Sequence, residues 1–120
     1  MTRILAVSPN EETLREITEM VGEVYAGSVV FAFSDPMLAV QHAYNNPVDV
    51  VYTEVEMKRL TGFDVLRLLR KRAPRLPVHF VCESDAYETD ALRATADSYL
   101  VRPLTMDKVH HARTQEEVLW

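Results

Sequence analysis

Short apolar runs alternate with amphipathic ones along this chain. Ile4-Leu5-Ala6-Val7 reads as a buried strand closed by Ser8-Pro9-Asn10. Leu14, Ile17 and Val21 recur at spacings of 3 and 4, which is one face of a helix. Val29 to Phe33 is a second strand; Asp35 behind it suits an N-cap and Pro36 a first helical position. That helix carries Leu38, Ala39 and Ala43 and ends at Asn45-Asn46-Pro47. Val48 to Thr53 predicts a third strand, apolar on both faces, and 58–62 a loop. Phe63, Leu66 and Leu69 begin a helix that closes on Arg70-Lys71-Arg72, cations suited to a helix C-terminus, before Ala73-Pro74. Pro77 to Cys82 is a fourth strand, Asp85 to Thr95 a shorter polar helix, Tyr99 to Val101 a fifth strand, and Thr105 onward a fifth helix.

Five strand-helix units with strands apolar on both faces imply an α/β fold, a parallel sheet covered by helices on both sides. In such sheets the functional crevice lies outside the carboxyl ends of the strands. The positions selected are Ser8, Pro9, Thr53, Glu54, Cys82, Glu83 and Arg102.

Composition narrows the chemistry. The 120 residues suit a single domain, 1–120, and the 48% hydrophobic and 26% charged content is that of an ordinary globular protein. No apolar run approaches the roughly 18 residues that span a bilayer, and no secretory leader opens the chain, so a cytoplasmic location without membrane contact is expected. A net charge of -5 argues against direct nucleic-acid binding by this domain. Cys82 is alone, which excludes an intramolecular disulfide. Gly22, Gly27 and Gly62 form no phosphate-cradling run. His110 and His111 face about 100° apart on a helix, and His42 and His79 lack ligand-spaced partners. The final segment, 115–120, reads as helix without a stop signal, so the chain is open to having been cut from a longer protein.

The order and spacing of Ile4–Val7, Pro47–Val51, Gly62-Phe63-Asp64-Val65-Leu66, Pro77–Cys82 and above all Tyr99-Leu100-Val101-Arg102-Pro103-Leu104 resemble the receiver domain of two-component response regulators. Ala91 to Tyr99 looks most like receivers that precede LytTR-type DNA-binding domains. The resemblance implies a CheY-like, flavodoxin-like doubly wound sheet of strand order 2-1-3-4-5. In the family, an acidic pair and a phosphoacceptor Asp hold Mg²⁺, a Thr or Ser ends the fourth strand, and a Lys ends the fifth. Those positions fall here on Ser8 and Pro9, Glu54, Cys82 and Arg102, and all five have changed.

The replacements bear on the chemistry. Pro9 offers no ligand and Ser8 a neutral hydroxyl, so Mg²⁺ binding is not expected and no cofactor is implied. Ser8-Pro9-Asn10-Glu11 has the form of a capping box, with Asn10 as an alternative N-cap. Glu54 has two readings: a longer carboxylate mimicking the phosphoryl group in an active-like state, or a plain ion pair with Arg102. Cys82 is expected to be an inert small hydrophobe, with a redox-sensing thiol as the alternative. Tyr99 occupies the family's switch-aromatic position; the plain reading is a core-edge ring with its hydroxyl in water. Arg102-Pro103 corresponds to the family's often cis peptide.

The resemblance also implies partners. The face of the fourth helix, fifth strand and fifth helix would bind another copy or an output partner through Tyr87, Leu92, Tyr99, Val101, Met106, Val109, Ala112 and Arg113, with a histidine kinase or attached output domain in prospect. The function expected is a phosphorylation-independent, non-enzymatic receiver that regulates transcription through protein contacts. The alternatives are thiol chemistry at Cys82 and a receiver still phosphorylated with unusual ligands.

Overall fold

The computed structural model describes residues 1–116. Its strands are β1 (Arg3–Val7), β2 (Val29–Phe33), β3 (Val50–Glu54), β4 (Val78–Cys82) and β5 (Ser98–Val101). Between and after them run α1 (Glu11–Val24), α2 (Pro36–Asn45), α3 (Gly62–Arg72), α4 (Glu88–Arg93) and α5 (Met106–Gln115). All strand pairings are parallel and the order is β2-β1-β3-β4-β5, as the resemblance implied.

Alternation along each strand splits the core in two. Ile4, Ala6, Val50, Tyr52, Val81 and Leu100 pack with Ile17 and Val21 of α1 and Val109 and Ala112 of α5. Leu5, Val7, Val51, Phe80 and Cys82 pack on the other face with Ala39 of α2, Val65, Leu66 and Leu69 of α3 and Ala91 of α4. The central strands are apolar throughout because both faces are covered. β4 is buried at all five positions, whereas the edge strand β2 is only half-buried.

Helix starts follow local chemistry. Asp35 caps α2 through the Met37 N–H, with Pro36 in the first turn as expected. Asn10 caps α1 by accepting from the Thr13 N–H, so the second capping option holds and Ser8 is not the cap. A capping box that was not among the expected helix starts, Thr61 with Asp64, opens α3. α4 is shorter than the expected 85–95: it begins only after Tyr87, which supplies no side-chain cap, and it stops before Thr95 at φ 61. Expected residues 117–120 of the last helix lie outside the described residues.

Candidate functional site

The carboxyl ends of β1, β3, β4 and β5 bring Ser8, Glu54, Cys82 and Arg102 to one edge of the sheet. Ser8 is fully buried; its hydroxyl donates to Glu54 Oε1 at 3.1 Å, has the Asn10 carbonyl oxygen at 3.3 Å, and accepts the Asn10 N–H at 3.1 Å. Pro9 is exposed just outside the helix. Burial raises the Glu54 carboxyl above its ordinary value, and Glu83 adds to the effect; the Ser8 bond and the more distant Arg102 charge offset part of it.

Arg102 does not pair with Glu54, contrary to the plain expectation. Its Nη2 lies 3.0 Å from Glu16 Oε2 and its Nε 3.4 Å from Glu16 Oε1, while Nη1 donates to Glu83 at 2.6 Å. Glu16 projects from α1 into the β5–α5 turn, where its Oε1 also accepts the Leu104 N–H at 2.6 Å. Burial alone would raise Glu16, but Arg102 and that N–H outweigh it and hold the carboxyl below its ordinary value. The two carboxylates raise Arg102 further, keeping it charged. The Arg102-Pro103 peptide is cis, and Lys108 Nζ donates to the carbonyls of Val101 and Pro103.

Cys82 is a buried free thiol, pushed above its ordinary value by burial, to which the nearby Glu54 and Glu56 charges add. Tyr99 also departs from expectation: its hydroxyl is not given to water. It donates to the Ser84 carbonyl at 2.6 Å and accepts the Tyr87 N–H at 3.1 Å, tying β5 to the β4–α4 turn. The crevice between these groups, about 250 Å³, is lined by Asn10, Glu54, Glu56, Cys82, Glu83, Ser84 and Tyr87. Among the described residues, its lining carries three carboxylates and no cation.

The residues expected on the interaction face differ in exposure. Leu92 is 77% exposed, Met106 is exposed, and Tyr87, Tyr99 and Val101 are half-buried. Val109 and Ala112 are fully buried against α1 and the sheet, because they lie on the inward side of α5, so they cannot be docking residues. Arg113 is tied to α1, with its guanidinium over the Tyr25 ring and a bond to the Val24 carbonyl.

A second polar cluster lies outside the positions that the sequence pattern selects. His79, fully buried near the start of β4, stacks on Tyr52 and lies 2.6 Å from both Ser98 Oγ and Glu116 Oε2. Tyr25 donates to the same Glu116 oxygen and meets the Tyr52 hydroxyl at 2.9 Å. Burial raises both tyrosines. A histidine inside an otherwise apolar strand was the available signal. His42 rests on the rings of Phe31 and Phe33.

Residues 4–114 match the sequence profile of the response regulator receiver domain. The chain belongs to that family. The receiver is 31% identical over 105 residues to the probable transcriptional regulatory protein TcrX of Mycobacterium tuberculosis, covering 86% of this chain and 44% of that protein. It is 19% identical to the transcriptional regulatory protein NatR of Bacillus subtilis, covering 91% of this chain and 47% of the other. The chain thus spans about half the length of the curated relatives it matches. Among solved structures it resembles a receiver domain protein of Clostridium thermocellum (TM-score 0.82, 25% identity, 97% and 94% of the two chains). It also shares the fold of TrrA of Thermotoga maritima in complex with Mg²⁺ and BeF (TM-score 0.84, 21% identity, 97% and 99%). Among the described residues, no helix is long and apolar enough to cross a membrane.

Proposed function

We propose that this receiver signals without phosphorylation, as a protein-contact module of a transcriptional regulator. The observation that carries the reading is the engagement of Arg102 by Glu16 and Glu83. Acyl-phosphate formation on a carboxylate brings two anions together and requires positive charge to offset their repulsion. Here the cation is already neutralised, and Glu54 faces Glu56 and Glu83 across the crevice.

Mg²⁺ does not fit these residues. It demands oxygen ligands in near-octahedral array. Ser8 spends its hydroxyl on Glu54, Pro9 has none to give, and among the described residues no three His, Cys, Asp or Glu side chains are placed to hold an ion. Output through the α4–β5–α5 face, to a second copy or an attached output domain, is supported by exposed Leu92 and Met106 and by the regulatory names of the relatives. The Tyr99 latch supports a switch ring that is held to the β4–α4 turn without a phosphoryl group. Thiol chemistry is disfavoured by a buried Cys82 held in its neutral form.

The test is an amide NMR titration with Mg²⁺ and then beryllofluoride, paired with mass spectrometry after incubation with acetyl phosphate. Unmoved peaks at Ser8, Glu54, Cys82 and Arg102, with no phosphoryl adduct, are expected. Saturable shifts there, or an adduct on Glu54, would overturn the reading.

A further inference from the structure

Beside the crevice lies a larger open groove of about 790 Å³, between the β1–α1, β2–α2 and β3–α3 loops. Its apolar walls are Pro9, Pro36, Met57 and Tyr87, and Lys58 and Arg59 stand on its rim. Pro9 occupies one of the two positions where the family carries its acidic pair, so what would be a metal-binding wall is apolar here. The wall formed by Tyr87 is fixed: its ring meets Phe63 edge-on at 6.4 Å, its hydroxyl donates to Glu56 at 2.6 Å, and its N–H donates to Tyr99.

The charges around the groove are unequally engaged. Asp35 and Glu56 keep their negative charge, but each is already ordered by a neutral donor, the Met37 N–H for Asp35 and the Tyr87 hydroxyl for Glu56. Lys58 and Arg59 are exposed, and among the described residues neither side chain has a hydrogen bond or ion pair. The backbone presents them together: the Leu60 N–H closes onto the Lys58 carbonyl at 2.9 Å, and Arg59 sits at φ 72. In a protein of net charge -5, two adjacent cations without partners beside an apolar trough are complementary to a ligand that joins carboxylates to an apolar side chain.

We infer that this groove docks a short segment of a partner protein, an apolar anchor flanked by acidic residues, and that it is the input site of the domain. The anchor enters between Pro9, Pro36, Met57 and Tyr87, and the carboxylates meet Lys58 and Arg59. Occupation would be felt at Tyr99, because Glu56, Tyr87 and Tyr99 form a continuous hydrogen-bonded chain from the groove to β5. The role as input rests on the phosphorylation-independent reading; the docking itself does not.

The probe is a random peptide library displayed on phage and selected against the intact protein, with synthetic winners titrated by NMR. Selected sequences should place Asp or Glu within a few residues of Leu, Phe or Trp. They should shift the amides of Met57, Lys58, Arg59 and Tyr87, and the Lys58→Glu/Arg59→Glu variant should weaken them at least ~10-fold, with weaker binding as salt rises. Both substituted side chains are exposed and unbonded, and an unchanged urea midpoint confirms that the variant folds. In Tyr99→Phe, which removes the acceptor of the Tyr87 N–H and lies outside the groove, binding should persist while the accompanying shift at residue 99 disappears. No enrichment, enrichment of peptides without acidic residues, mapping to α4 and α5 instead, or a dimer by sedimentation that buries the groove would each overturn the proposal. None of these readouts uses a phosphoryl mimic, so they fail or succeed apart from the beryllofluoride titration.

Discussion

Gly62 sets the distance between α3 and the strand that carries Glu54, and replacing it separates two opposed effects. Its N–H donates to the Val55 carbonyl at 2.9 Å. A Cβ added there would lie 2.5 Å from the Glu54 carbonyl oxygen and 3.0 Å from Val55 Cα. Ordinary contacts begin near 3.4 Å, so α3 and the end of β3 would have to part by most of an ångström. The obstacle is backbone, which cannot rotate aside as a side chain can. Overpacking of this kind costs about 1–3 kcal/mol. Against it stands the gain in helix propensity from Gly to Ala, at most about 1 kcal/mol in a helix interior and less in the first turn. Gly62→Ala should therefore destabilise by about 1–2 kcal/mol. Gly22, exposed in the second half of α1 with no atom within 4 Å of an added methyl, receives the propensity gain without the clash. Gly22→Ala should stabilise by about 0.5–1 kcal/mol. Urea unfolding of both variants beside the parent decides the matter, since the two substitutions are chemically identical. Equal stabilisation by both would refute the close-approach argument, and unshifted Glu54 and Val55 amides in Gly62→Ala would refute its link to the site.

Three further outcomes are expected. Cys82 should react with iodoacetamide at neutral pH at least ~10-fold more slowly than in urea-unfolded protein, because burial both shields the thiol and raises it; equal rates would contradict this. The raised Glu54 carboxyl means that the folded state holds its proton more tightly than the unfolded state, so wild-type stability falls as pH rises from the ordinary glutamate value near 4.5 through the raised one. Glu54→Gln should accordingly be more stable than wild type at neutral pH, with the advantage fading below about pH 4.5, as urea midpoints across pH would show; a constant difference would sink the assignment. Glu116→Ala should cost about 1–3 kcal/mol in thermal unfolding, since it strips the partner from His79 Nε2 and from the Tyr25 hydroxyl. Glu116→Gln, which keeps an acceptor, should cost less, and a neutral Ala variant would show that the cluster is not holding α5.

What was legible in the sequence was what short-range pattern encodes. The runs Ile4–Val7, Val50–Thr53 and Val78–Cys82 are buried at every position, so their apolar continuity announced central parallel strands. Asp35-Pro36 announced a helix start for the same local reason. Thr61-x-x-Asp64 carried an equally local signal, but it was submerged in a stretch with the look of a loop. α4 was overestimated because polar, helix-compatible residues precede it, whereas Tyr87 is held by Tyr99 and Glu56 in a turn that the local sequence does not reveal.

The pairing of the site residues belonged to a different order of information. Arg102 has carboxylate neighbours from α1 and from the β4–α4 turn, and only the fold decides between them and Glu54. Its side-chain chemistry explains the outcome. A lysine ammonium is a compact point charge, whereas a guanidinium offers several donors in a fixed plane. Arg102 uses one edge of that plane on both oxygens of Glu16 and the remaining amino group on Glu83, while Glu16 is itself fixed by the Leu104 N–H. A residue pre-positioned by the backbone turn offers an acceptor at little additional ordering cost, and Glu54 is already satisfied by Ser8. The planar cation at the end of β5 and the neutral hydroxyl at the end of β1 thus act together. The first is bound to α1, and the second leaves Glu54 with the neutral Ser8 hydroxyl as its hydrogen-bond partner.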